Sequence, residues 1–254
     1  MTYTTPGGEI SAFCDSLTKQ NHTLIAGASG SGKSVLVNGF ICALLHKAPT
    51  DTPGGARFIL IDPKRVELSI YKTTPHCIAH ATEPDEMIKA LKQAVAITES
   101  RYKIMEKNGE RMYKGGDIWV FIEELADLMT TNRRAVQPLI QRLCQIARAA
   151  RVHVVCITQC PLVKVIPTEI KVNFDSIVAL RTRSAQDSRN IIGASGAEML
   201  PKYGKALYYT PDYIGINLVD VPYITDEEQT KLVKWWTNQA RPEPAPIKKR
   251  FRFF

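Results

Sequence analysis

The sequence lacks the features that mark a disulfide-stapled, metal-binding or membrane-spanning protein. Its six cysteines, within 254 residues, form no CxxC pair and follow no regular spacing, so we expect reduced thiols. No run approaches the roughly 18 apolar residues that a membrane-spanning helix needs. The N-terminus lacks the basic and apolar regions of a secretory signal, and no internal repeat is visible. We therefore predict a soluble, cytoplasmic protein without a membrane segment.

An excess of positive charge is present but is concentrated at one end. The 33 Lys and Arg against 25 Asp and Glu give a net charge of +8. Residues 241–254 hold five basic residues and one acidic residue, which is half of that excess. The charge on the rest is too small to coat nucleic acid in bulk, although it suffices if it is concentrated in a groove. We predict a short lead segment over residues 1–20, one domain over 21–240, and a flexible basic tail over 241–254.

Short β-rich apolar runs alternate with helical patterns along the chain, which is typical of an α/β fold. The predicted strands cover residues 23–26, 57–61, 118–122, 152–158 and 176–180, and the predicted helices cover 33–45, 84–106 and 137–150. Later in the chain follow a helix near 188–192, short strands at 206–209 and 215–219, and a helix over 226–238. These runs are long enough for strands buried on both faces of a sheet. The pattern predicts a mostly parallel central sheet flanked by helices, with short additional strands late in the chain.

A complete phosphate-loop motif follows the first of these strands. Residues 27–34 read GASGSGKS, a full GxxxxGK[ST] directly before a predicted helix. Glycines let successive N–H groups curl around an anion, and the helix N-terminus adds its dipole. Lys33 would reach the β- and γ-phosphates, and the Ser34 hydroxyl would ligate Mg²⁺. The residues that we expect to bind ATP are Gly27, Ala28, Ser29, Gly30, Ser31, Gly32, Lys33, Ser34 and Val35.

A pair of acids ends the predicted strand 118–122. In P-loop proteins that hydrolyse nucleotides, the first acid holds Mg²⁺ and the next polarises the attacking water. The order therefore predicts Glu123 as a metal ligand and Glu124 as the catalytic acid. The alternative is a solvated helix start, in which Glu124 and Asp127 interact with the helix dipole.

Polar residues also end two other predicted strands. Asp62 follows the strand 57–61, and Gln159 follows the strand 152–158. Ligands of open α/β sheets bind outside the carboxyl ends of the strands, so both side chains could face the γ-phosphate. An amide suits Gln159 to sensing that phosphate or orienting water. Each residue is also common in turns, which is the alternative for both.

Together these motifs resemble the motor domain of the FtsK/SpoIIIE family. From about residue 21 to residue 236, the matching stretches are HTLIAGASGSGKSVLVNGFICALL, FILIDPKRVELSIY, FIEELADLM, IARAARVHVVCITQCP, QDSRNIIG and GAEML. The resemblance implies a RecA-like ATPase that uses ATP and Mg²⁺, forms a homo-hexameric ring and drives double-stranded DNA through its channel. It assigns Lys33 and Ser34 to the Walker A motif, Glu124 to the catalytic acid and Gln159 to the family's conserved glutamine.

The sequence departs from the family pattern at several of these positions. Glu123 stands where the family has Asp, Cys160 replaces an arginine, and Lys205 replaces an aspartate. The resemblance also implies an arginine that completes the site of a neighbouring subunit, with Arg181, Arg189 and Arg148 as candidates. Basic residues facing a DNA channel are the final implied group, with Arg133, Arg134, Lys164 and Lys171 as candidates. An ordinary solvated surface is the alternative for all of these basic residues.

The leading functional prediction is an ATP-dependent translocase of double-stranded DNA that serves transfer, packaging or partition. A relaxase, a capsid or a membrane component would recruit it. One alternative is a protein-secretion ATPase of the same family. Another is a nucleotide-dependent assembly protein with weak ATPase activity, which the departures at Glu123, Cys160 and Lys205 suggest.

Overall fold

The structure is a computed structural model that describes residues 2–5, 8–159 and 166–238. Its strands are β1 (Thr2–Thr5), β2 (Gly8–Ser11), β3 (His22–Ala26), β4 (Ala56–Ile61), β5 (Cys77–Ala81), β6 (Asp117–Ile122), β7 (Val152–Thr158), β8 (Ser176–Ala179), β9 (Lys205–Tyr209) and β10 (Ile216–Asp220). Its α-helices are α1 (Ala12–Leu17), α2 (Lys33–Leu45), α3 (Pro84–Asn108), α4 (Leu125–Thr131), α5 (Arg133–Ile146), α6 (Thr168–Lys171), α7 (Ala185–Ile192) and α8 (Asp226–Thr237). Short 3-10 helices cover Ser69–Thr73 and Ala197–Met199.

A central sheet organises the described part of the chain. Its strand order is β10-β9-β8-β3-β7-β6-β4-β5. The strands from β8 to β5 in this order run parallel, whereas β9 and β10 are antiparallel to their neighbours. The predicted α/β fold with a mostly parallel sheet and additional late strands is therefore confirmed. Strand β3 lies between β7 and β8, so the loop that follows β3 begins near the middle of the sheet.

Apolar side chains cover both faces of the sheet. Strands β3, β6 and β7 are buried along their whole length, and adjacent residues such as Leu24 and Ile25 point to opposite faces. The Leu24 face packs under α3 and α5, and the Ile25 face packs under α2 and α8. Each fully buried side chain of this kind stabilises the fold by about 1.5–3 kcal/mol. The rigid layers hold the carboxyl ends of the strands in register.

The predicted elements do not include β1, β2, β5, α1, α4 or α6, and they place α5 differently. Strand β5 is absent from the prediction because it is short and His80 interrupts its apolar residues. It lies at the sheet edge and is only half-buried over most of its length. Helix α5 begins at Arg133 and contains Pro138 in its interior. The predicted helix, 137–150, therefore starts and ends four residues too far along the chain.

The N-terminal residues before position 21 contribute to the core. Cys14 and Leu17 of α1 are buried among side chains of α2 and β8. The domain boundaries at residues 20 and 240 stay predictions, and the tail 241–254 lies outside the described residues. Among the helices that the structure describes, none combines the length and apolar character needed to cross a bilayer.

Buried thiols account for four of the six cysteines. Cys14, Cys42, Cys144 and Cys156 are free and buried. Burial raises the pKa of Cys14, Cys42 and Cys144 to about 12, so the reactive thiolate is scarce at neutral pH. These cysteines act as small apolar core residues.

Candidate nucleotide site

The loop after β3 is pinned to the end of β8. Ala28 N donates a hydrogen bond of 2.8 Å to the Arg181 carbonyl. A Cβ on Gly27 would lie 2.7 Å from Ser31 Oγ and 2.8 Å from Leu180 Cβ. Because real Cβ atoms do not approach so closely, only glycine fits at the start of the loop. This packing holds the loop in one conformation.

The tip of the loop needs two further glycines and leads into α2. Gly30 has φ 69° and Gly32 has φ 94°, a left-handed conformation that glycine adopts without steric cost. Helix α2 begins at Lys33, and Gly32 provides no side-chain cap. The first N–H groups of α2 are therefore available to an anion, as in other phosphate-binding loops. The geometry fits the predicted triphosphate cradle.

The Lys33 side chain lies folded against the loop. Its Nζ donates 2.8 Å hydrogen bonds to the carbonyls of Gly27 and Ala28. Burial is the main cause that lowers the pKa of Lys33 to about 8, although nearby Glu123 and Glu124 act to raise it. A phosphate offers this ammonium a charged acceptor in place of two neutral carbonyls, and charge-assisted hydrogen bonds are the stronger kind.

Glu124 lies between the carboxyl ends of three strands. Its backbone has φ 52°, an uncommon conformation for a non-glycine residue that marks many functional sites. Its Oε1 accepts hydrogen bonds of 3.3 Å from Thr158 Oγ1 and from Gln159 N. Its Oε2 accepts a 2.9 Å hydrogen bond from Lys64 Nζ. These donors hold the carboxylate in one orientation.

Glu123 is buried beside this carboxylate, and its Oε2 has no hydrogen-bond partner. Burial, then the charges of Glu67, Glu124 and Asp62, raise the pKa of Glu123 to about 8, while Lys33 opposes the shift. An unpartnered buried carboxylate oxygen is a suitable ligand for a cation. No group of three or more His, Cys, Asp or Glu side chains among the described residues could hold a metal unaided. A Mg²⁺ ion here would need further oxygens, such as those of phosphates, which is its usual mode of binding.

The structure brings Asp62 and Gln159 to the same edge of the sheet. Asp62 is fully buried, and its Oδ2 accepts a 3.0 Å hydrogen bond from Leu68 N. This contact closes the turn after β4, while Oδ1 is without a partner. Gln159 is exposed and contacts Glu124 through its backbone N–H. Its role as a phosphate sensor stays a prediction.

Lys64 is the residue of this site to which sequence reasoning assigned no role. It lies two positions after Asp62, which follows the predicted strand 57–61, and this is the one signal available. Only the folded sheet shows that its ammonium reaches Glu124, because β6 is the neighbour of β4. This contact with Lys64 holds the carboxylate in place.

The three candidate arginines lie in different places. Arg181 adjoins the phosphate loop through its carbonyl, and its side chain is exposed. Arg189 is exposed on α7 and donates to Gln186 Oε1 at 3.4 Å. Arg148 is exposed between α5 and the amino end of β7, so it lies at the opposite end of the parallel strands from the phosphate loop. Which of them serves a neighbouring subunit stays a prediction.

The candidate DNA contacts are similarly dispersed. Arg133 and Arg134 are exposed in the first turn of α5, and Arg133 Nε donates to Gln137 Oε1 at 2.8 Å. Lys171 Nζ donates a 2.7 Å hydrogen bond to the Asn190 carbonyl, so its ammonium is used within the fold. Lys164 lies outside the described residues. The DNA-binding role of all four stays a prediction.

A glycine loop with its lysine after the central strand, and a pair of acids on a nearby strand, define a P-loop nucleotide-binding protein. The model of the FtsK/SpoIIIE family matches residues 7–118 and 114–163. The chain therefore belongs to the FtsK/SpoIIIE family, as its motifs predicted.

Comparisons with individual proteins agree with this membership. The chain is 37% identical over 257 residues to "DNA translocase FtsK 1" of Neisseria meningitidis, and the match covers 88% of this chain and 31% of that protein. The chain thus spans about a third of that relative's length. In structure it is similar to the "pCW3 conjugation coupling protein TcpA", with a TM-score of 0.74, 24% identity, and coverage of 92% of this chain and 70% of the other. The Type VII secretion ATPase EccC of Thermomonospora curvata has a TM-score of 0.71 at 19% identity, over 88% of this chain and 28% of that one.

Proposed function

We propose that this chain is an ATP-hydrolysing motor that moves double-stranded DNA. The observation that carries the ATPase part is the carboxylate of Glu124, held by three donors at the strand end beside the phosphate loop. DNA as the cargo is supported by the relative at 37% identity, which is named a DNA translocase.

The proposed reaction assigns one task to each side chain. The loop amides and Lys33 bind the triphosphate, and Ser34 and Glu123 would hold Mg²⁺. The ion would supply neutralising charge on the phosphates. Glu124 accepts a proton from the attacking water as general base, and Lys64 keeps it oriented. Gln159, next to that carboxylate, orients the water or detects loss of the γ-phosphate.

The assembly and partners belong to the same proposal. A homo-hexameric ring would let an arginine of one subunit stabilise charge at its neighbour's site, which couples hydrolysis to subunit geometry. A recruiting relaxase, capsid or membrane component is proposed only from the resemblance. Protein secretion has less support, because the similar secretion ATPase is 19% identical and shows the fold alone. The assembly protein is also less supported, since the carboxylate of Glu124, to which this proposal gives the role of general base, is held by Lys64.

The test measures ATP turnover by the purified chain with and without linear duplex DNA, followed by displacement of a triplex strand from that duplex. A DNA motor should show turnover that rises several-fold with duplex and ATP-dependent displacement of the third strand. Turnover that ignores DNA would favour secretion, and nucleotide binding without turnover would favour assembly; either result would overturn the proposal. Single-stranded DNA of equal length is the matched control.

A further inference from the structure

A second loop, residues 200–204, lies against the phosphate loop although it is far along the chain. A Cβ on Gly32 would be 3.7 Å from Tyr203 Cδ1, and a Cβ on Gly30 would be 3.9 Å from Lys202 Cε. These are ordinary contact distances. Tyr203 and Lys202 therefore contact the tip of the phosphate loop, although no motif in the sequence connects the two segments.

The loop 200–204 is anchored at both ends, which fixes its tip. Leu200 is buried at one end. At the other end, Gly204 has φ 82° and its carbonyl accepts a 3.0 Å hydrogen bond from Val221 N. The residues between these anchors are exposed. The scaffold thus presents the two side chains in a defined place, as binding groups require.

The tip combines an aromatic face with a cation. Tyr203 is 58% exposed, and Lys202 Nζ lies 5.0 Å from the centre of its ring. A phosphate loop binds only the phosphates of a nucleotide, so the base needs a flat apolar surface nearby. Tyrosine supplies such a surface, and stacking of bases on aromatic rings is favourable for every base.

We propose that Tyr203 and Lys202 complete the nucleotide site: the Tyr203 ring packs against the base of the nucleoside triphosphate, and the Lys202 ammonium pairs with its phosphates. The inference rests on the proposed function only in requiring that the phosphate loop binds a nucleotide. It does not depend on DNA or on movement. Tyr203 and Lys202 are binding residues and take no part in the chemical step.

Calorimetric titration of the full chain, with Mg²⁺ present, separates the two contacts by comparing AMPPNP with inorganic tripolyphosphate. Tyr203→Ala should weaken AMPPNP binding about tenfold and leave tripolyphosphate binding unchanged, whereas Tyr203→Phe should retain both. Lys202→Ala should weaken both ligands, by up to about fivefold. The matched control is Tyr213→Ala, since Tyr213 is equally exposed, at 59%, but lies in the turn between β9 and β10.

Several outcomes would overturn the inference. Unchanged AMPPNP affinity in Tyr203→Ala, or an equal loss for both ligands, would show that the ring does not contact the base. Loss of duplex DNA affinity with unchanged AMPPNP affinity would assign Tyr203 to DNA instead. Wild-type protein that binds no AMPPNP would remove both the inference and the proposed function. If AMPPNP binds but duplex DNA does not stimulate ATP turnover, the proposed function alone is refuted and the Tyr203 contact stays in place.

Discussion

Replacing Glu124 with Gln tests the catalytic acid directly. The change keeps the size of the side chain but removes the carboxylate that accepts the proton from water. Because general base catalysis contributes about 10²–10⁴-fold, we expect ATP turnover to fall by that factor. ATP should still bind, since the phosphate loop is unchanged.

The structural cost of Glu124→Gln should be small. The amide oxygen of Gln can still accept from Thr158 Oγ1 and Gln159 N, which now donate to Oε1. The lost interaction is the ion pair with Lys64, whose side chain is 47% exposed. Such pairs are worth about 0–1 kcal/mol, and 1 kcal/mol shifts the melting temperature of a chain this size by about 2–4 °C. Glu124→Gln should therefore lose most of its ATP turnover while its melting temperature changes by only a few degrees.

Three measurements decide the Glu124→Gln prediction: steady-state turnover, calorimetric ATP binding and the melting temperature. The control is Asp127→Asn, because Asp127 is exposed one turn further along α4 and its loss should leave turnover near the wild-type value. Retention of more than a tenth of wild-type turnover in Glu124→Gln would refute the general-base assignment. Loss of ATP binding would refute the claim that the acid acts on water alone.

Two further predictions concern stability. The buried Arg101 guanidinium donates to the Ala150 carbonyl at 2.8 Å and to Asp51 Oδ1 at 2.5 Å. Arg101→Leu should lower the free energy of unfolding by on the order of 3 kcal/mol and the melting temperature by roughly 6–12 °C. An equal loss of stability in the exposed control Lys103→Leu would contradict this prediction. The folded-state pKa of Glu123 is raised from 4.5 to about 8, so without nucleotide the wild type should lose stability as pH rises through this window. Glu123→Gln should therefore melt at a higher temperature than wild type at pH 8.5, and this difference in melting temperature should narrow toward pH 5. A difference that is independent of pH would show that Glu123 does not titrate in this window.

The phosphate loop and the acid pair could be predicted because their signals are local. The GxxxxGK[ST] spacing places Gly30, Gly32 and Lys33 by backbone geometry within eight residues. Glu123 and Glu124 directly follow an apolar strand, and the carboxyl ends of parallel strands meet at one edge of the sheet. The half-buried strand β5 and the early start of α5 could not be predicted, since His80 interrupts the short apolar run of β5 and Pro138 weakens the helical pattern of α5.

The order of residues along the chain determined by itself where the most buried strands lie, which loop has the phosphate-binding pattern and which acids end a nearby strand, because these depend on contacts within a few residues. Only the tertiary structure decided that Lys64 reaches Glu124 and that Tyr203 lies over Gly32. Both contacts depend on which strands are neighbours and on where loops are anchored. Such long-range pairings follow from the packing of the whole sheet, and no local pattern encodes them.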